Sequence, residues 1–291
     1  MTIFNLGSIN TDHFYRLPHL PAPGETLAAL GYQRGLGGKG ANQSVAVARA
    51  GGAVRHIGAI GPDGGWMLER MAGFGVDCCH VARIDTVSGH AIINTDPSGE
   101  NAIVIHPGAN RDIPQEALTQ AMAEASAGDF LILQNESSLQ AEAARFAQEQ
   151  GLFVVYSAAP FDAEATRLVL PYVSLLLLNE VEAAQLCAAL DCALEALPVP
   201  FVCVTMGGKG ALWRDLRAGT NVEVAAHPVE VVDTTGAGDT FAGYLVAGLA
   251  EGMEPAHAMR LASAAGAVKV TRAGTADAIP TRAEVDAFLA K

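Results

Sequence analysis

Short apolar runs alternate with amphipathic stretches along most of the chain, and that alternation sets the first expectation. Thr2 to Leu6 reads as a buried strand and Ala53 to Ile60 as another, with a short helix over 64–75 that turns Trp66, Leu68 and Met71 toward the core. From Pro114 onward the two patterns take turns. Helix 114–125 leads to strand Phe130-Leu131-Ile132-Leu133, then helix 138–150 and strand Leu152 to Val155. A short helix after Asp162 precedes strand Ser174 to Leu178, and Phe201 to Thr205 is a further strand. Such alternation predicts a three-layer α/β/α arrangement around a mostly parallel sheet with right-handed crossovers. A hairpin follows over Ala211 to Arg214 and Asn221 to Ala226, and Val231-Val232 reads as a β-branched strand end. Two helices come next, then a last helix opened by Thr281 and Glu284 as a capping box.

Two stretches break the alternation. Pro18, Pro21 and Pro23 prevent a helix between Phe14 and Gly35, leaving Thr26 to Gln33 as an extended segment. Residues 88–106 carry a hairpin signal: Ala91-Ile92-Ile93-Asn94, a turn at Pro97-Ser98-Gly99, then Ala102-Ile103-Val104-Ile105. Segments 12–35 and 88–106 together predict a small β sheet apart from the main layers, placed as a lid. With no repeat, low-complexity tract or linker, residues 1–291 are expected to form one domain with that lid.

Three polar segments leave the ends of predicted strands, where ligands bind in parallel α/β sheets. Gly7-Ser8-Ile9-Asn10-Thr11-Asp12 offers Asn10 and Asp12 as hydroxyl-binding groups or as a plain Asx turn. Asn179-Glu180-Val181-Glu182 opens a helix and can hold magnesium through water, although first-turn acids also suit the helix dipole. The third is Asp233-Thr234-Thr235-Gly236-Ala237-Gly238-Asp239-Thr240-Phe241, which runs into the helical pattern Phe241, Leu245, Val246, Leu249. Glycines at a helix start let backbone N–H groups approach an anion closely. A carboxylate one residue further on repels that anion, and Asp239 is explained if it removes a proton from a nucleophile attacking a bound phosphoryl group. A second glycine-rich helix start, Gly35-Leu36-Gly37-Gly38-Lys39-Gly40-Ala41-Asn42, adds Lys39 as a cation and Asn42 as donor and acceptor. Neither stretch is a dinucleotide or Walker motif: Phe241 takes the place of the third glycine of the first, and Lys39 and Lys209 are each followed by glycine.

Composition narrows the partners. Of the 291 residues half are hydrophobic, and the net charge of −13 argues against nucleic acid or an anionic membrane surface as partner. No apolar run approaches a membrane span, the first ten residues lack a signal-peptide pattern, and five cysteines without C-x-x-C spacing suit a reducing compartment. A cytoplasmic protein is expected.

Taken in order, these motifs resemble the ribokinase-like (PfkB) carbohydrate kinase family over nearly the whole chain. The resemblance rests on Gly7 to Asp12, Pro23-Gly24-Glu25-Thr26, Gly37 to Gln43, Gly99-Glu100-Asn101, Gly108-Ala109-Asn110, Asn179 to Glu182 and Asp233 to Phe241. It implies an α/β sandwich under a β lid that often forms a homodimer contact, and an ATP-dependent kinase acting on a primary hydroxyl of a pentose, D-ribose first. It also implies roles. Asp239 is the general base, with Gly236, Ala237 and Gly238 as the anion hole. Asp12, Gly38, Lys39, Asn42 and Glu136 match positions that hold sugar hydroxyls. Asn179 and Glu182 match the motif that organises Mg2+ and phosphate. Thr205, Gly207 and Gly210 fall where ATP is gripped, with Ser263 near the adenine. Asp233 and the carbonyls of Thr235, Lys269, Arg272 and Gly274 match a site for K+. His90 in the lid hairpin and Tyr156-Ser157-Ala158 depart from the family pattern, so another sugar or a nucleoside stays open as substrate. A non-catalytic sugar- or nucleotide-binding regulator is the reading from another class.

Overall fold

The computed structural model describes all 291 residues. A nine-stranded sheet runs through the molecule. At its centre lie β1 (Thr2–Leu6), β4 (Ala53–Ile60), β8 (Phe130–Gln134), β9 (Phe153–Ser157), β10 (Leu175–Asn179) and β11 (Phe201–Thr205), every neighbouring pair parallel. One edge is β5 (Asp77–Arg83); the other is the antiparallel hairpin of β12 (Ala211–Asp215) and β13 (Thr220–Val224). The central strands read as continuous apolar runs because helices cover both faces. The period of two then divides β1: Ile3 enters one core, Phe4 and Leu6 the other.

The first core packs under α1 (Lys39–Arg49), α2 (Gly65–Gly73), α7 (Ala237–Ala250), α8 (Pro255–Val270) and α9 (Arg282–Leu289). The second packs under α3 (Gln115–Ala123), α4 (Gln140–Glu149), α5 (Ala163–Val169) and α6 (Glu180–Leu190). Thr281 and Glu284 do form the expected capping box on α9. Close approach of α1 and α7 depends on Gly243. A Cβ there would lie 2.4 Å from the Ala46 methyl and 2.7 Å from the Gln43 carbonyl oxygen.

A separate four-stranded sheet forms the lid, in the order β3 (Gly31–Gly37), β2 (Asn10–Arg16), β6 (Gly89–Thr95), β7 (Asn101–His106). Its limits correct two expectations. Residues 10–12 are strand rather than loop, so Asn10 and Asp12 lie on one face of β2. The extended segment begins at Gly31, not Thr26, because pairing with β2 sets the register (Tyr15 opposite Tyr32). Elsewhere Val231 and Val232 form no strand; they are 58% and 61% exposed, and the Val232 and Asp233 amides donate instead to the Val270 carbonyl. In α2 it is Met67 and Met71 that are buried, while Trp66 stays partly exposed under the Arg34 guanidinium, 4.4 Å from its ring centroid.

Candidate active site

The N-termini of α1 and α7 meet where β1 hands the chain to the lid. Asp239, in the first turn of α7, is buried, and both its carboxylate oxygens accept hydrogen bonds from α1. Asn42 donates to Oδ2 at 3.1 Å and Gln43 to Oδ1 at 3.0 Å. A carboxylate can only accept, so both amides present their nitrogens to it. That leaves the Asn42 Oδ1 atom buried without a protein partner.

Behind Gln43 a chain of buried polar groups fixes its rotamer. Gln134 donates to Gln43 Oε1 and to Asn5 Oδ1, both at 2.8 Å, and Asn5 donates to Ser44 Oγ and the Gly40 carbonyl. Ser44 Oγ lies 2.8 Å from His56 Nδ1, and His56 Nε2 lies 3.2 Å from the Gly7 carbonyl. Burial pulls the His56 pKa down to about 4, against the opposing pull of that carbonyl, so the ring is neutral at pH 7. Its Nε2–H then donates to Gly7 and Nδ1 accepts from Ser44, which leaves Gln134 Oε1 as the one oxygen of this network without a protein partner. Gln43 appeared in the sequence only as part of a motif, and Gln134, Asn5 and His56 gave no spacing signal.

The lid side gathers further carboxylates. Asp12 is buried against Gly37, where a Cβ would lie 1.9 Å from the Asp12 Oδ2 atom, so only glycine fits there. Desolvation first, then the charges of Glu136 and Asp239, raise the Asp12 pKa to about 7. Glu136 Oε2 accepts from Ser8 Oγ and, at 3.1 Å, from the Lys39 amide at the head of α1. Asp239 above all, with Glu136 and Glu182, holds the Lys39 ammonium pKa up despite its burial. Asn10 Oδ1 accepts from Asn110 at 2.8 Å, and Asn110 Oδ1 accepts the Ile9 amide. Gly38 caps α1 with no side-chain bond.

Two cavities meet at the head of α7, and Asp239 lines the smaller. One, about 210 Å3, is bordered by Lys39, Asn179, Glu182, Gly236, Gly238 and Asp239. The other, about 380 Å3, is bordered by Thr205, Gly207, Gly210, Val231, Gly238 and Ser263. They share Thr205, Gly238 and Phe241, so a long ligand in the larger cavity can reach toward Asp239 in the smaller. Ser263 Oγ donates to the Ala225 carbonyl at 3.3 Å. Asn179 and Glu182 form a reciprocal capping box on α6, which uses Asn179 Oδ1 and Glu182 Oε2. At the head of α7 the Ala237 amide donates to the Thr234 carbonyl at 3.1 Å, whereas those of Gly236, Gly238 and Asp239 meet no backbone carbonyl. Gly236 and Gly238 therefore keep their expected freedom to bind an anion, Asp239 joins them, and Ala237 does not.

The residues expected around K+ do converge, but with a cation already among them. Lys269, fully buried near the end of α8, donates from Nζ to the Asp233 carbonyl at 3.0 Å. Asp233 Oδ1 accepts the Thr235 amide at 2.8 Å and Oδ2 the Gly274 amide at 2.9 Å. The Lys269 carbonyl accepts the Arg272 amide at 3.0 Å. The fit to a free monovalent ion fails at Asp233, where an ammonium holds the carbonyl and amides take both carboxylate oxygens, while the Thr235, Arg272 and Gly274 carbonyls accept no hydrogen bond. The sequence expectation weighed only the Lys269 carbonyl and overlooked its side chain.

Comparison with known proteins agrees with this geometry. The profile of the pfkB family carbohydrate kinases matches residues 2–282. The ribokinase of Haemophilus influenzae is 37% identical over 304 aligned positions, covering 99% of this chain and 98% of its own. Among solved structures, a Cryptococcus neoformans ribokinase in complex with ADP superposes with a TM-score of 0.85 at 33% identity, covering 98% of both chains. An Arabidopsis thaliana ribokinase complexed with ribose and ATP superposes with a TM-score of 0.88 at 28% identity, covering 99% of this chain and 98% of its own.

Proposed function

The chain belongs to the PfkB family of carbohydrate kinases, and from that premise we propose that it transfers the γ-phosphoryl group of ATP to a primary hydroxyl of D-ribose, giving ribose 5-phosphate. The observation that carries this reading is Asp239: a buried carboxylate held by Asn42 and Gln43, beside free helix amides, in the smaller of two cavities that meet at Gly238. The larger cavity suits the nucleotide, with Thr205, Gly207 and Gly210 along its wall and Ser263 toward the base. Its phosphates then point at the head of α7, where Gly236, Gly238 and Asp239 amides and Lys39 face the developing charge. Sugar hydroxyls are held by Asp12, Glu136, Asn42 Oδ1 and the Gly38 segment, with Asn10 bracing them through Asn110.

Asp239 accepts the hydroxyl proton as the oxygen attacks phosphorus. Gln43 and Asn42 keep its carboxylate aimed, so the reaction needs positioning rather than covalent catalysis. Magnesium, when bound with the phosphates, supplies charge neutralisation. Asn179 and Glu182 at the rim of the smaller cavity would organise it through water, since no three acidic, His or Cys side chains cluster to cage a metal alone. We place the protein in the cytoplasm, where ATP and reduced thiols suit its five free cysteines, and no helix is long and apolar enough to cross a membrane. It pairs through the lid: β7 is an exposed edge strand bearing Ile103, Val104 and Ile105, a surface that calls for a cover.

A coupled ADP-release screen over pentoses, hexoses and nucleosides tests the substrate. Ribose giving the highest kcat/KM supports the reading. A nucleoside or hexose preferred over ribose replaces the substrate, and ADP release with none of them overturns the assignment.

A further inference from the structure

We infer that the Lys269 ammonium is a tethered cation that stands where a free monovalent ion would otherwise act, so that catalysis does not depend on potassium. The inference rests on the kinase reading above for its chemistry, but on separate residues. Lys269 reaches from α8 to the segment Asp233 to Gly236, which delivers the chain into the head of α7. Its Nζ atom holds the Asp233 carbonyl at 3.0 Å, and the charges that face it are the carboxylates of Asp233 and Asp239. Burial makes that donor hard to replace, and removing it leaves the Asp233 carbonyl without its partner.

An ammonium and a potassium ion carry the same charge and have similar size, so one excludes the other by repulsion as well as volume. Two of the five expected ligands support the substitution from their own side. Asp233 gives both carboxylate oxygens to the amides of Thr235 and Gly274, and the Lys269 carbonyl is taken by Arg272. What an ion would hold in place, the turn from Asp233 to Gly236, is held here by a side chain of fixed position. Lys269 is thus a positioning residue: it lines neither cavity and acts through the backbone that presents the Gly236, Gly238 and Asp239 amides.

The test compares steady-state turnover in potassium, sodium and tetramethylammonium chloride at matched ionic strength, using whichever substrate the screen yields. Wild-type protein is expected to turn over equally in all three. Lys269→Ala is expected to lose roughly 10-fold or more of kcat in tetramethylammonium, the scale of losing one electrostatic element of an anion hole. Potassium should then restore it with a saturable dependence. Lys269→Met, which keeps the apolar stem, should lose the same activity without that rescue. Thermal melting without substrate supplies a readout independent of any activity. Potassium over tetramethylammonium should raise the Tm of Lys269→Ala and leave wild type unmoved. Wild-type protein that is activated by potassium, or that melts higher in it, overturns the inference even if no variant folds. So does full turnover of Lys269→Ala in tetramethylammonium.

Discussion

Asp12 lies buried beside two further carboxylates, and the folded protein holds its pKa at about 7 against 3.8 for the free group. The sign of the consequence follows. Between those values the folded state binds more protons than the unfolded chain, so stability falls as pH rises from about 4 to 7. Asp12→Asn should therefore raise the urea midpoint at pH 8 and leave it near wild type at pH 4. Sugar binding runs the other way, because a hydroxyl donates to the charged form. In wild type kcat/KM for ribose should climb through about pH 7 and then level, and Asp12→Asn should flatten that climb. Asp12→Ala should lower kcat/KM about 10- to 150-fold, the worth of a hydrogen bond to a charged group of about 1.5–3 kcal/mol. A variant with unchanged kcat/KM and an unchanged pH profile removes Asp12 from the sugar site.

At the scale of elements, the active site is a consequence of how α1 lies on α7. Gly243 permits the contact that brings Asn42 and Gln43 to Asp239, and a methyl there collides with Ala46. Gly243→Ala should cost about 1–3 kcal/mol, as overpacking does, and should lower kcat by tilting α1 away from the base. The urea midpoint and kcat are measured on the same sample; if neither moves, α1 does not depend on that glycine. Much at this scale was legible. Apolar runs marked β1, β4 and β11 to the residue, and Thr281 with Glu284 marked the start of α9. The strand β5 was hidden, because Asp77-Cys78-Cys79-His80 lacks an apolar run and an edge strand need bury little. Val231-Val232 misled for the opposite reason, since β-branched residues favour a strand only where a neighbour pairs with them.

For the molecule as a whole, the sites that motifs named came together, and the groups that support them were illegible. Asp12, Lys39, Glu136 and Asp239 lie far apart in sequence yet act electrostatically on one another. Gln134 reaches Gln43 across 91 positions, and nothing about a glutamine at the end of an apolar strand announces that partner. Lys269 sits in an Ala-Val-Lys-Val helix turn, where only its carbonyl drew notice and nothing marks its side chain as buried. The lid carries the assembly prediction. Val104 is 64% exposed on the edge strand β7, so Val104→Glu should convert a dimer to a monomer in sedimentation velocity. A wild-type protein that sediments as a monomer at all concentrations rules out pairing through the lid.

The account turns on Asp239 as the group that removes the hydroxyl proton. Its most direct test pairs ADP release with calorimetric ribose binding for wild type and Asp239→Asn. The account predicts that kcat falls roughly 10²- to 10⁴-fold, the usual contribution of a positioned general base, while ribose binds within a few-fold of wild type. Turnover within a few-fold of wild type, in a variant that binds ribose normally, would contradict it.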